Sequence, residues 1–237
     1  MKLKLYYIYI GTLLFLACSP TYTLQSHEDK VVAIQASADS TALAIIAPYQ
    51  NAIEEEMNEA LTFTKHNLEK GRPQSTLGNF VTDLCLNYAD AHICVMNNGG
   101  LRTTINKGNI RRGKLYELMP FENELVVLEL DENDYLGLLN YICKRGGEPF
   151  SGISITMKED GEIINYSQPV DFSKGEKVKV LTSDYLANGG DKMSFFQDKK
   201  QLKVGIKLRD AIIDYCSNTD TINAQLDGRL KVIEHVK

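Results

Sequence analysis

Residues 96–105 read MNNGGLRTTI. Two amides, two glycines and an arginine follow a short apolar run, HICVM, at residues 92–96. That run reads as a short buried strand, since its length and apolar content suit a strand covered on both faces. The polar cluster then falls in the loop after a strand, where scaffolds commonly present groups to ligands. Asn97 and Asn98 carry amides able to read the edge of a heterocycle. Gly99 and Gly100 allow close backbone approach. Arg102 supplies a fork suited to phosphate or carboxylate. A tight turn with a solvent-facing arginine has the same composition, so the cluster alone leaves turn and site both open.

The flanking segments alternate between helix and strand signals. In EKGRPQSTLGNFVTDLCLNYADA (residues 69–91), Pro73 disfavours helix for Arg72. Ser75 or Thr76 then stands where a helix to about Ala89 needs a cap, with Leu77, Phe80, Val81, Leu84 and Tyr88 on its buried side. Earlier, APYQNAIEEEMNEAL (47–61) places Tyr49, Ala52, Ile53, Met57, Ala60 and Leu61 at helical spacing. Glu54, Glu55 and Glu56 fan around that helix and read as a solvated face. Downstream, ELVVLEL (124–130) reads as a strand. Asp131 caps a following helix, which Gly146 and Gly147 end. Ile153, Ile155 and Met157 alternate on one face, and Val178 and Val180 alternate with lysines. KLRDAIIDYC (207–216) is a last helix with Leu208, Ala211, Ile212 and Tyr215 on one stripe. The expected fold class is α/β, with α+β mixed sheets and outer helices, in one domain over residues 40–237.

The chain has 237 residues, 43% of them hydrophobic, and a net charge of −5, enough to bury a real core. A mildly acidic chain without a basic stripe is a poor partner for a nucleic acid polymer. Of the four histidines, His27 lies in the tether and His235 in the terminal tail, while His66 and His92 stand alone, and no His-Glu-x-x-His, Gly-x-Ser-x-Gly or P-loop pattern occurs. Residues 1–17 read as a signal peptide with a short apolar core. FLAC, ending at Cys18, resembles a bacterial lipobox, with Phe15 in place of the usual Leu. Cys18 is therefore the expected lipidation site, residues 18–39 a polar tether, and the protein an exported lipoprotein anchored to a membrane, periplasmic or surface-facing. Cys85, Cys94, Cys143 and Cys216 form no Cys-x-x-Cys pair and read as buried thiols.

GRPQSTLGNFVTD, NNGGLRTTINKGNI, MPFENELVVLEL, SGISITM and LANGGD, in this order, resemble the C-terminal, substrate-binding domain of the 5'-nucleotidase family, from about Ile46 to Gly228. The resemblance implies a nucleotide pocket. Phe121 matches one base-stacking aromatic. Tyr185 stands where the second, commonly Phe, is found. Asp191 matches the acid that accepts from ribose hydroxyls, Asn97 a base- or ribose-side amide, and Arg102 a phosphate-side arginine. Arg72 lies near a second arginine of the family. The metallophosphoesterase half of a complete 5'-nucleotidase carries Asp-x-His, Gly-Asn-His and Gly-His-x-His motifs, and none occurs here. The expectation is a nucleoside- or nucleotide-recognition chain with no cofactor and no catalytic residue of its own. It would work with a separately encoded, divalent-metal phosphatase to hydrolyse nucleotide phosphate esters. A stand-alone nucleoside-binding lipoprotein is the alternative.

Overall fold

Alternation sets the central sheet. In Glu124–Leu130, Leu125 and Val127 face one hydrophobic cluster while Val126, Leu128 and Leu130 face another, and all five are buried. A strand apolar on both faces has to lie between two covering layers. The computed structural model of the protein, which describes residue 37 and residues 39–233, has that arrangement. The signal peptide, Cys18, almost all of the tether, His27 and His235 lie outside the described residues.

In chain order the elements are α1 (Ser40–Asn58), β1 (Ala60–Thr64), α2 (Thr76–Cys85), β2 (Ile93–Val95), β3 (Gly108–Arg111) and α3 (Arg112–Leu118). Then follow β4 (Glu124–Leu130), α4 (Glu132–Lys144), β5 (Phe150–Ser151), β6 (Ile155–Lys158), β7 (Ile163–Tyr166) and β8 (Val178–Ser183). The single-turn helix α5 (Asp184–Ala187), β9 (Leu202–Lys207), α6 (Leu208–Ser217), β10 (Thr221–Ile222) and β11 (Leu230–Ile233) complete the chain. The central sheet has the order β5-β2-β8-β4-β9. β2 is parallel to β8, and the other neighbouring pairs are antiparallel. Two smaller sheets, β10-β1-β3 and β11-β6-β7, each combine a parallel and an antiparallel pair. Helices α2, α3 and α6 cover the face bearing Cys94, Leu125, Val127 and Leu181. Helix α4 with β6 and β11 covers the face bearing Ile93, Val95, Val126, Leu128 and Val180. The mixed α/β class expected from the sequence is the observed one.

Local signals place most boundaries. The Ser75 hydroxyl accepts the Gly78 N–H at 2.9 Å and caps α2, and Leu77, Phe80, Val81 and Leu84 are buried. The helix ends at Cys85 and continues as one 3-10 turn to Tyr88, which is half-buried. Asp131 caps α4 by accepting from Asp134 N–H at 3.0 Å. After α4, Gly147 has φ +114°, and a Cβ there would stand 2.1 Å from the Pro73 carbonyl oxygen, so no other residue fits. All four core cysteines are free and buried, and burial pushes the Cys143 thiol up to about 11 and the Cys216 thiol up to about 12. His92 is structural: its Nδ1 accepts from Lys179 N–H at 3.0 Å.

The first helix differs from expectation. It starts at Ser40, where Asp39 accepts the N–H groups of Thr41 and Ala42, runs through Pro48 and stops at Asn58. The chain divides into two units between Ile45 and Ile46. No residue of α1 is buried, and Tyr49 and Ile53 are exposed. Glu54–Glu56 are exposed, as a solvated face requires. Ala60 and Leu61 are not helical. They open β1, where β3 on one side and β10 on the other satisfy the backbone, and Thr62, Phe63 and Thr64 suit a strand.

Candidate functional site

Strand direction decides where the loops meet. β2 and β8 run parallel, so their C-terminal ends lie at one edge of the sheet, and β4 is antiparallel to β8 and starts there. β9 is antiparallel to β4 and ends there, with Glu124 opposite Lys207 and Leu125 opposite Ser183. Loops outside the C-terminal ends of parallel strands are a common location for ligand crevices. At this edge the loops enclose a cavity of about 660 Å³. Asn97, Gly99, Gly100 and Arg102 line it from the loop after β2, and Met119, Phe121, Glu122 and Asn123 from the loop before β4. Ser183, Tyr185 and Asp191 contribute from β8 and its sequel, and Leu208 from the start of α6.

Five of the six binding residues expected from sequence therefore share one cavity: Asn97, Arg102, Phe121, Tyr185 and Asp191. Phe121 is 41% and Tyr185 46% exposed, so neither ring is a core residue. The Asp191 carboxylate is held by two groups. Its Oδ2 accepts from Asn97 Nδ2 at 2.6 Å and its Oδ1 from the Tyr185 hydroxyl at 3.1 Å. The backbone of Asp191 has φ +52° and is fixed by Tyr141, whose hydroxyl donates to the Asp191 carbonyl at 2.8 Å. Burial pushes the Tyr141 phenol up to about 12, so it remains a donor at neutral pH. The hydroxyl that Tyr185 has and Phe lacks is thus used: it ties the ring to the acid. The ring also lies close to Gly190, where a Cβ would come 2.6 Å from it. Arg102 donates from Nη1 to Gly99 O at 3.1 Å, and its guanidinium carbon is 6.0 Å from the Phe121 ring centre.

Arg72 does not line the cavity. Its Nε donates to Gly147 O at 2.8 Å and its Nη2 to Glu148 Oε1 at 2.6 Å. Arg145 Nε reaches the same Oε1 at 2.6 Å, and Glu148 Oε2 accepts from Asn98 N–H at 2.7 Å. Glu148 is thereby a buried brace behind the Asn97–Gly100 loop. Sequence reasoning passed over Glu148, Tyr141 and Arg209. Glu148 sits between a glycine pair and Pro149 with no periodic context. Tyr141 reads as one more residue of an amphipathic helix. Arg209 did leave a signal: a cation in the first turn of a helix opposes the dipole there.

Glu122 closes the remaining side. Hydrogen bonds from Lys207 and then Arg209 hold its carboxyl down to about 2, although its side chain is 60% exposed. The folded value lies below the ordinary 4.5, so the stabilisation is present above that value and is lost as pH falls through about 2. A carboxyl-carbon NMR titration is expected to place Glu122 near 2 in the wild type and higher in Lys207→Ala. A midpoint near 4.5 in the wild type would remove this anchor. Among the described residues, no group of three or more His, Cys, Asp or Glu side chains converges as metal ligands do.

Residues 58–198 match the family described as 5'-nucleotidase, C-terminal domain, more than half of the chain. The chain belongs to the 5'-nucleotidase C-terminal domain family. The match spans all six sequence-selected binding residues and ends before α6. An apyrase of Tabanus yao is 28% identical over 191 residues, with 67% of this chain and 34% of the relative covered. A 5'-nucleotidase of Vibrio vulnificus (strain CMCP6) is 27% identical over 164 residues, with 65% of this chain and 30% of the relative covered. Among solved structures, a 5'-nucleotidase precursor from Thermus thermophilus superposes with a TM-score of 0.67 at 24% identity, covering 81% of this chain and 43% of that one. The NAD nucleotidase of Haemophilus influenzae gives 0.65 at 16%, covering 84% and 42%. These structures share the fold of the 5'-nucleotidase C-terminal domain. The chain spans about a third of the length of the two relatives and less than half of the two structures.

Proposed function

We propose that the cavity binds a nucleoside or nucleotide, with the base between Phe121 and Tyr185, the ribose hydroxyls on Asp191 beside Asn97, and the phosphate end toward Arg102. The observation that carries this reading is the convergence of Asn97, of Phe121, and of Tyr185 with Asp191, from three separate segments, onto one cavity whose two aromatic rings are both half-exposed. Solvated rings beside a carboxylate are costly decoration for a turn but suit a flat ligand with a hydroxylated substituent. The chain is the recognition part of a 5'-nucleotidase-type hydrolase. Its metal-dependent phosphatase part is a separate chain, and together the two hydrolyse nucleotide phosphate esters. Family membership supports the recognition role.

Calorimetric titration of adenosine and AMP tests the pocket. Tyr185→Ala and Phe121→Ala are each expected to weaken adenosine by about 1–3 kcal/mol, the range for one aromatic–base stack. Tyr185→Phe keeps the stacking face and is expected to retain most of the affinity. The 237-residue chain alone is expected to bind AMP without turning it over. Unchanged affinity in both alanine variants would return the cavity to an empty groove. Metal-dependent AMP hydrolysis that vanishes in Asp191→Ala would replace the partner by a site in this chain.

Anchoring rests on the lipobox-like sequence at Cys18. Two or three acyl chains bind a bilayer far more tightly than the marginal single chain. Cys18→Ser is expected to move the protein from the membrane to the soluble fraction. A mutant that fractionates like the wild type removes the lipoprotein reading.

A further inference from the structure

Phe121 has a half-exposed ring on a loop without regular structure, so its own packing does little to hold it. The backbone holds it instead. The carbonyls of Met119, Phe121 and Asn123, alternate residues of that loop, all end on the start of α6. Arg209 Nη1 donates to Met119 O at 3.3 Å and to Phe121 O at 3.4 Å, and Leu208 N–H donates to Asn123 O at 2.9 Å. The Arg209 Nη2 pairs with the Glu122 carboxylate, and the guanidinium lies over the Tyr116 ring, 4.4 Å from its centre. Arg209 is only 6% exposed, and its Nε is buried without a partner. A buried cation with an unspent donor, at the positive end of a helix, is an unfavourable choice for packing alone.

We infer that Arg209 is the positioning residue for Phe121: its planar guanidinium, over the Tyr116 ring, fixes the backbone of the loop at the height where the Phe121 ring meets a nucleobase. The inference rests on Phe121 being the base platform proposed above. A lysine cannot reproduce it, because an ammonium is a compact point charge without the fork that spans two carbonyls and a carboxylate. Arg209 touches no ligand in this reading and acts only through the loop.

A double-mutant cycle between Arg209→Met and Phe121→Ala, read by calorimetric titration of adenosine, tests it. Arg209→Met is expected to weaken adenosine about 5- to 10-fold in the wild-type background and less than about 2-fold when Phe121 is already alanine, as coupled residues behave. Ribose 5-phosphate, which has no base, is expected to bind Arg209→Met and the wild type alike. Arg209→Lys is expected to recover only part of the loss. If Arg209→Met does not fold, Tyr116→Leu removes the ring beneath the guanidinium at a partly exposed position and is expected to show the same coupling to Phe121→Ala, with a smaller effect. Losses that add fully to Phe121→Ala, or that fall equally on adenosine and ribose 5-phosphate, overturn the positioning role and leave the base platform standing. An unchanged adenosine affinity in Phe121→Ala itself overturns the platform, and the role of Arg209 with it.

Discussion

Gly152→Ala is expected to cost roughly 3–5 kcal/mol, a large part of the stability of a domain of this size. Gly152 follows β5, which pairs with β2 at the edge of the central sheet, Ser151 opposite Cys94. Its φ is +89°, and a Cβ there would stand 2.0 Å from the His92 carbonyl oxygen and 3.1 Å from Ile93 Cα. Backbone, not a flexible side chain, occupies the space. His92 cannot yield easily: its N–H donates to Lys179 O at 2.9 Å and its Nδ1 accepts from Lys179 N–H. Relief requires prying β5 from β2 in a sheet packed on both faces, and overpacking of that kind costs about 1–3 kcal/mol or more. The left-handed backbone adds about 1–2 kcal/mol for any residue with a Cβ. Gly175→Ala is the control, since φ is +75° there and nothing lies within 4 Å of the added carbon. It carries the backbone cost without the collision. At about 2–4 °C per kcal/mol, thermal melting should separate Gly152→Ala from the wild type by about 10 °C and from Gly175→Ala by a clear margin. Equal melting of the two glycine variants would show that the clash is relieved at no cost.

Glu148→Ala is expected to destabilise the protein by about 2–3 kcal/mol and to weaken nucleoside binding as well. The side chain is fully buried and accepts from Arg72, Arg145 and the Asn98 N–H. The two arginines are 42% and 39% exposed in their side chains, so water replaces part of what they lose. The cost therefore falls below that of breaking a fully buried pair. The Asn98 N–H keeps no replacement from the protein, and Asn98 adjoins Asn97, whose amide holds Asp191 at 2.6 Å. Loosening the brace loosens the acid. Arg72→Ala, which leaves Arg145 on the same carboxylate oxygen, is expected to cost less than half as much. Denaturant unfolding and adenosine titration on the same samples decide it. If Glu148→Ala loses stability and keeps full affinity, the brace is structural and the loop holds its own shape.

Much of this molecule is written in short-range pattern. Ser75 and Asp131 cap their helices because a side-chain oxygen needs only to reach an N–H three residues on. The strand Glu124–Leu130 follows from its β-branched content and the helix after it from its cap and closing glycines, each within one window. The resemblance carried by NNGGLR, PFENE and LANGGD named the residues of a pocket, and Asn97, Arg102, Phe121, Tyr185 and Asp191 do share one. Arg72 marks the limit of that approach, since a guanidinium beside a loop glycine can face a cavity or a buried carboxylate with equal local sense. Ala60 and Leu61 mark another, because their helical spacing was overruled by two strands that arrive from elsewhere in the chain.

By itself the sequence determined several of the elements, the caps at Ser75 and Asp131 and the chemistry of the ligand-facing loops, all properties of residues close along the chain. The tertiary structure alone decided that those loops meet. Asn97 and Asp191 are 94 residues apart, and they touch because β2 and β8 lie side by side and parallel, so that both chains leave the sheet at the same edge. Whether two strands run parallel depends on how the whole chain buries both faces of the sheet, and no local window contains that information. The same holds for Glu148 beneath Asn98 and Arg209 beneath Phe121: each buried charge is intelligible only beside the partners that long-range packing supplies.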